Sequence, residues 1–348
     1  MQTALFNLRH NTEVNPAFMS LLKSDAHKAA RKLMDGVYSR MTDPNGNFVR
    51  DFQGKGFYAR VFELCCSAYL EFNDLNIDRS YERPDFLVSK EKQKVAIECV
   101  TSNPTEGSNI DITALQVKPL SGQDMVDKVM NEFPIRMAGI LKKKLAKKYW
   151  ELPHCKDVPF VLMISPFHEP GSQYYIDDSL GRYLYGGNDI HPQLVDKNGI
   201  PMLVPIRSHT YRGKSIKPGF FLTTQSEMVS AVLYCNQFSI SKFLRIAIQE
   251  RMESNIQGNR WGFVQCPGQN ENIETLEYEY NVADSSAPLE TWGQGVTIFH
   301  NPNAKNPVRR DFFKTTSIHE EKYGSLIKNV LDYHPVISFT NFYPAGNK

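Results

Sequence analysis

Two carboxylates carry the chemical interest of this sequence. Asp85 lies in Tyr81-Glu82-Arg83-Pro84-Asp85-Phe86-Leu87-Val88, and Glu98 lies in Val95-Ala96-Ile97-Glu98-Cys99-Val100. The two short apolar runs hold their acids thirteen positions apart. A charge inside a strand pattern is costly to bury without a partner. Two such acids on adjacent strands are economically explained by a shared cation. A third acid, Glu63, precedes them, and a lysine cluster follows: Lys142, Lys143, Lys144, Lys147 and Lys148. Such a cluster is either a solvated helix face or a ridge that faces phosphates.

Helices and short strands must position these groups. Residues 16–42 read as a helix, with Pro16 in its first turn and Met19, Leu22, Ala26, Ala29, Ala30, Leu33 and Val37 near helical spacing. Asp43-Pro44-Asn45-Gly46 is a turn. Residues 55–72 read as a second helix, apolar nearly all round apart from the stripe Arg60, Ser67, Glu71. Glu63 falls among Ala59, Cys66 and Leu70, an acid at the edge of a core, and its plainest role is to pair with Arg60.

Strands are predicted at 77–82, 84–89 and 93–101, the last of them apolar enough to be buried on both faces. After a loop, helical material runs from about 122 to 150 with an interruption near Pro134. Its segment 135–149 turns Met137, Ala138, Leu141, Leu145 and Tyr149 inward. Lys144 and Lys148 lie at the edge of that face, and Lys142, Lys143 and Lys147 point outward. Further buried strands are expected at 159–165 and 229–234, a succession that argues for an α/β sandwich.

Residues 166–220 are turn-rich and aromatic, and read as an insertion containing a hairpin. Within it, Arg207, His209, Tyr211, Arg212, Lys214 and Lys217 form a basic-aromatic stretch suited to nucleic acid. Residues 250–348 are mixed, with strand-like runs such as 295–299, and either a separate domain or a flap over the core fits them.

Composition narrows the class. The chain of 348 residues is 41% apolar and 22% charged, with a net charge of +2. That suits an ordinary globular protein and gives no bulk electrostatic signature of a nucleic-acid partner. No apolar run is long enough to span a membrane, and the N-terminus lacks a signal-peptide pattern, so a cytoplasmic location is expected. The six cysteines show no CxxC spacing and are expected to be buried thiols.

A helix carrying Glu63, then Pro84-Asp85, then Glu98 on a buried strand, resembles the PD-(D/E)xK restriction-endonuclease-like superfamily over roughly residues 50–165. The resemblance implies an α/β fold with a mixed sheet flanked by helices. It divides the chain into an N-terminal helical segment (1–45), an endonuclease-like core (46–245, insertion at about 166–220) and a C-terminal extension packed on the core (246–348). It implies hydrolysis of DNA, with RNA as the second candidate, in a defence or restriction setting. Mg²⁺, or Mn²⁺ in its place, would be held by Asp85, Glu98 and the Cys99 carbonyl, with Glu63 reaching the metal from its helix. A homodimer or a regulatory protein partner would accord with such an enzyme.

One position departs from the pattern. The family's lysine belongs two residues after the second acid, where this chain has Val100. Some members carry that lysine on the following helix, so Lys144 is the expected substitute, with Lys148 behind it. Nucleic-acid contacts are expected from Lys148, Arg207, Tyr211, Arg212 and Lys214. The alternative is a module that kept the fold, lost the chemistry at Val100, and binds nucleic acid or a protein. A glycosidase using two acids is a weaker third reading.

Overall fold

The computed structural model of the chain describes residues 5–9, 13–102, 122–166, 174–195, 201–252, 255–269, 272–322 and 325–345. The N-terminal helices are α1 (Pro16–Lys23), α2 (Lys28–Ser39), α3 (Phe48–Gln53) and α4 (Phe57–Phe72). The single helix expected over 16–42 is therefore divided. Ser24 is extended at the break, and Arg31 Nη1 donates to the Leu21 and Ser24 carbonyls at 2.7 and 2.6 Å. A side chain thus satisfies carbonyls that the interrupted helix leaves open.

The next elements are β1 (Asn76–Asp78), β2 (Phe86–Lys90) and β3 (Gln93–Ser102). The strand expected at 77–82 stops at Asp78, whose Oδ1 accepts from the Ser80 amide and hydroxyl at 2.9 and 2.6 Å. That local turn competes with strand pairing. Most of the loop expected before residue 122 lies outside the described residues. Helix α5 (Gly122–Asp127) passes through a π-helical turn at Lys128–Glu132 into α6 (Phe133–Leu145), which is followed by β4 (Phe160–Pro166). The expected interruption thus falls just before Pro134.

Residues 174–216 supply α7 (Asp177–Tyr185) and two hairpins, β5 (Asn188–Val195) with β6 (Pro201–Pro205), and β7 (His209–Tyr211) with β8 (Lys214–Ile216). Then come β9 (Ala231–Tyr234), α8 (Ile240–Gln249), β10 (Ile256–Pro267), β11 (Ile273–Asn281), β12 (Thr297–His300), β13 (Ser317–Lys322), β14 (Ser325–Val330) and β15 (His334–Pro344).

The protein is a mixed α/β protein built on an eight-stranded sheet in the order β1-β2-β3-β4-β9-β12-β13-β14. Strands β3, β4 and β9 run parallel at its centre, and β1 and β2 are antiparallel to their neighbours. Strands β12 to β14 extend this same sheet, while β11, β10 and β15 form a small antiparallel sheet of their own. Among the described residues, no helix is long and apolar enough to cross a membrane. All six cysteines are free thiols, four of them buried.

Strand periodicity sorts the core into two layers. Phe86, Val88, Ile97, Val161, Met163 and Leu233 pack with α2, α4 and α8 on one face. Leu87, Ala96, Val100, Leu162, Ile164 and Val232 pack with α6 and α7 on the other. Because side chains alternate along a strand, Glu98, between Ala96 and Val100, belongs to the α6 face.

A buried ionic cluster ties α8 to the small sheet. Glu290 accepts from Arg245 at 3.0 and 3.1 Å and from Arg260 at 2.5 Å, with Lys242 at 3.2 Å. Burial would raise the Glu290 carboxyl, but Arg245, Arg260 and Lys242 hold it well below the ordinary carboxylate range. Glu290→Gln leaves three cations around a neutral amide, and is expected to lower stability by about 3–5 kcal/mol. Urea unfolding at neutral pH measures this loss, and an unchanged midpoint would contradict the account.

Candidate active site

Asp85 and Glu98 meet where β2 and β3 begin to separate. The register pairs Phe86 with Ile97, so Asp85 and Glu98 come next on the two strands. The Cys99 amide donates to Asp85 Oδ2 at 2.8 Å, and the Asp85 amide donates to Glu98 Oε2 at 3.3 Å. Each carboxylate thus caps the backbone of the other strand. Two residues before Leu87, Asp85 shares the α6 face with Glu98. Glu98 is buried and Asp85 half-buried. Burial first, then the neighbouring Glu98 and Glu63 carboxylates, lifts the Asp85 carboxyl well above its ordinary value. Burial also lifts Glu98, against the pull of Lys144.

Lys144 comes to this pair from α6, and its ammonium is hydrogen-bonded to Glu98 Oε1. Burial would lower its affinity for a proton, but Glu98 and then Asp85 raise it, so the group stays cationic. Val100 lies on the same face as Glu98 and lines a groove together with Lys144. That groove, about 650 Å³, runs between the end of β3, helix α6 and the β7–β8 hairpin. Arg136, Lys143, Tyr211, Arg212 and Lys214 also line it, with Glu132 as its acid.

Side-chain bonds explain how the hairpin reaches the helix. The turn before Pro134 bonds five residues back, Phe133 N–H to the Lys128 carbonyl, and Pro134 has no N–H to continue that ladder. The Ser179 hydroxyl donates to the Val129 carbonyl. His209 Nδ1 donates to the Met130 carbonyl at 2.7 Å, and the Thr210 amide donates to Asn131 Oδ1 at 3.2 Å. These bonds dock β7 on the π-helical turn and set Tyr211, Arg212 and Lys214 along the groove. The Arg212 guanidinium lies 5.2 Å from the Tyr211 ring centre.

Behind the carboxylates is a smaller polar pocket of about 180 Å³, where Arg60, Arg79 and Arg83 face Asp43, Glu82, Asp85 and Glu98. Glu63 is buried beside it and engaged by two arginines, accepting from Arg60 Nη1 at 2.5 Å and Arg79 Nη2 at 2.6 Å. The oxygens of Glu63, Asp85 and Glu98 do not all come within 4.8 Å of one another. The structure therefore gathers Asp85, Glu98, Lys144 and the Cys99 backbone, sets Glu63 to one side in an arginine pair, and brings Tyr211, Arg212 and Lys214 to the adjoining groove.

Two expected contacts are placed elsewhere. Helix α6 ends at Leu145, and Lys148, in a left-handed conformation beyond it, pairs with Glu151 at 3.3 Å. Arg207 is exposed on the stretch before β7 and does not line the groove. Sequence reasoning missed Arg79, Arg136 and Tyr149. Arg79 follows a strand that ends early, and nothing in its spacing signals a site.

A second acidic cluster lies at the start of α7. Asp177 Oδ2 accepts from Thr297 Oγ1 at 2.8 Å and lies 3.0 Å from His334 Nε2, while Lys328 Nζ donates to Asp177 Oδ1 at 3.1 Å and to Asp178 Oδ1 at 2.8 Å. His319 completes a group of three residues with metal-ligating chemistry, Asp177, Asp178 and His319. The Asp177 oxygens are already satisfied and Lys328 supplies the cation, so the cluster reads as a buried ion-pair network.

No family model, no curated protein and no solved structure matches the chain. The class defined by fold and site is thus a mixed α/β protein with a buried carboxylate pair, a helix-borne lysine and a basic groove.

The Asp177 network predicts a pH dependence. Burial opposes ionisation, but Lys328, His334 and His319 hold the Asp177 carboxyl well below its ordinary value. A depressed acid stabilises the fold above its unfolded-state value, about 3.9, and the gain is lost as pH falls through the folded value. Lys328→Met is expected to lower stability by about 3 kcal/mol at pH 7, with the gap to wild type narrowing below about pH 4. Denaturant unfolding at pH 7 and pH 3 reads both, and a gap that widens on acidification would refute the assignment.

Proposed function

We propose that the chain is a metal-dependent nuclease with a restriction-endonuclease-like core, hydrolysing phosphodiester bonds of DNA. The observation that carries this reading is the meeting of Asp85, Glu98 and Lys144 on one sheet face beside a basic groove. Asp85 and Glu98, with the Cys99 carbonyl, offer the hard oxygen donors that Mg²⁺ prefers, and Mn²⁺ is expected to substitute. The ion would neutralise charge on the phosphorane-like transition state and acidify a bound water.

The chain's own groups do the rest. Held side by side with little solvent, the two carboxylates offer oxygens whose charged form a bound cation would favour. Lys144, one hydrogen bond from Glu98, is placed to steady the attacking water or a phosphate oxygen. It takes the part that a lysine at position 100 would have in the family. Tyr211 offers a face for a base, and Arg136, Lys143, Arg212 and Lys214 offer charge to the backbone. DNA is the substrate favoured by the resemblance, and RNA is the comparison to run beside it.

Val100 in the lysine position supports a second reading, a binding module without chemistry. The two separate cleanly. Plasmid and linear DNA should be cut with Mg²⁺ or Mn²⁺ and spared with EDTA. Asp85→Ala and Glu98→Ala should each lower the rate at least about 100-fold, and Lys144→Ala by about 100-fold, the scale of losing one group that stabilises charge in the transition state. Wild-type cleavage by both carboxylate variants would sink the proposal. Tight DNA binding with no cleavage in any metal, unchanged in Asp85→Ala, would establish the module instead.

Metal binding has its own readout. Millimolar Mg²⁺ should raise the melting temperature of the wild type and leave the Asp85→Ala/Glu98→Ala double variant unmoved, because a ligand stabilises only the state it binds.

A further inference from the structure

We infer that the stacked pair of Tyr81 and His154 is a platform for one unpaired base of the strand being cut. This deepens the nuclease reading and rests on it. The two ring centres lie 3.8 Å apart, with the planes 9° from parallel. Tyr81 comes from the loop between β1 and β2, four residues before Asp85, and His154 from the turn Pro153–Cys155 that precedes β4. His154 Nε2 donates to the Arg83 carbonyl at 2.7 Å, which fixes the imidazole against the phenol. Tyr81 is nonetheless 41% exposed. His154 covers one face of the ring, so the exposure falls on the other face and the edge.

The chemistry of the ligand follows from the ring and from its neighbours. A ring clamped from one side meets a ligand on the other with its ordering already done. Every nucleobase has a π-face for such a surface. Tyr81 also lines the pocket of Asp85 and Glu98, where each arginine already faces acids, so the lining has no cation to spare for a phosphate. A neutral base is not repelled there, and the amino groups on its edge are donors that a carboxylate accepts. Glu82, next to Tyr81 in the chain, is such a carboxylate and is exposed.

The platform's position fits that ligand. Glu98 lines the pocket, Lys144 lines the groove, and the ion pair between them divides the two. The groove supplies the uncommitted charge for phosphates, and Tyr211 lines it. Aromatic rings thus flank the carboxylates on both sides. A base inside a duplex keeps its faces against its neighbours, so the nucleotide on Tyr81 has left its stack. Either the strand is single throughout, or one nucleotide of a duplex is extruded at the cut, and both present the same free base.

An abasic scan distinguishes the sources and tests the inference. Each nucleotide of an end-labelled single-stranded 12-mer is replaced in turn by an abasic site, and wild-type cleavage with Mg²⁺ is followed bond by bond. The bond at one fixed offset from the abasic site should be cut about tenfold more slowly. Tyr81→Ala should cut the intact 12-mer about tenfold more slowly and show no further loss at that offset. Tyr81→Phe, which keeps the ring, should behave as wild type. The same offset dependence within a duplex of that sequence assigns an extruded nucleotide, and a duplex left uncut assigns a single-stranded substrate.

The scan on wild type needs no variant to fold, and melting curves verify that the variants do. Abasic sites that slow no bond on wild type, or the same offset dependence in Tyr81→Ala as in wild type, overturn the platform. Cleavage that still depends on Asp85 would then leave the nuclease reading standing. A wild type that cuts none of these strands with any metal would end both.

Discussion

Placing two carboxylates side by side with little access to water is the constraint around which this site is built. Each acid is short of solvent, each repels the other, and neither can move away, because each also accepts from the backbone of the opposite strand. The surroundings answer that repulsion in layers. Lys144 meets Glu98 from one side, and the arginines of the small pocket stand on the other. Glu63, a third acid close enough to raise Asp85, is itself neutralised by Arg60 and Arg79. The result is an acidic centre with cations on both sides.

Two further clusters show how differently the same fold handles buried charge. Around Glu290 three cations share one carboxylate, and Gln237, Gln294 and Ser338 satisfy the donors that remain on Arg260. Around Asp177, one lysine and two histidines meet two acids. Glu290 and Asp177 are both held below the ordinary range, as acids in structural ion pairs are. At Asp85 and Glu98 the direction is reversed, and the acids are lifted. That contrast of sign, more than burial itself, sets the strand pair apart from the two structural networks.

Much of the central architecture was legible in the sequence. The apolar runs at 93–101 and 159–165 are the strands β3 and β4, and the inward set Met137, Ala138, Leu141, Leu145 and Tyr149 is buried against the sheet. Asp85, Glu98 and Lys144 could be singled out because a charge in or beside an apolar pattern breaks local periodicity. Other parts were not legible, for physical reasons. The division of α1 from α2 depends on Arg31 reaching back to two carbonyls, a tertiary contact that periodicity cannot register. Lys148 was expected on the face of a helix that ends three residues before it, and helix ends are the least determined feature of a periodic pattern. Arg79 has no local signal, because what sets it apart is its burial beside Glu63 and the Phe86 ring, which only the folded chain brings together. The C-terminal third could not be assigned because β12 to β14 find their neighbours on a sheet begun two hundred residues earlier.

The β7–β8 hairpin hangs on a single turn of the helix that forms the opposite wall of the basic groove. His209 holds the Met130 carbonyl and the Thr210 amide holds the Asn131 side chain. The two basic walls are thus tied together at their base, and any shift of the π-helical turn carries both of them with it. The spacing between the walls is in this sense a local property of one turn of backbone.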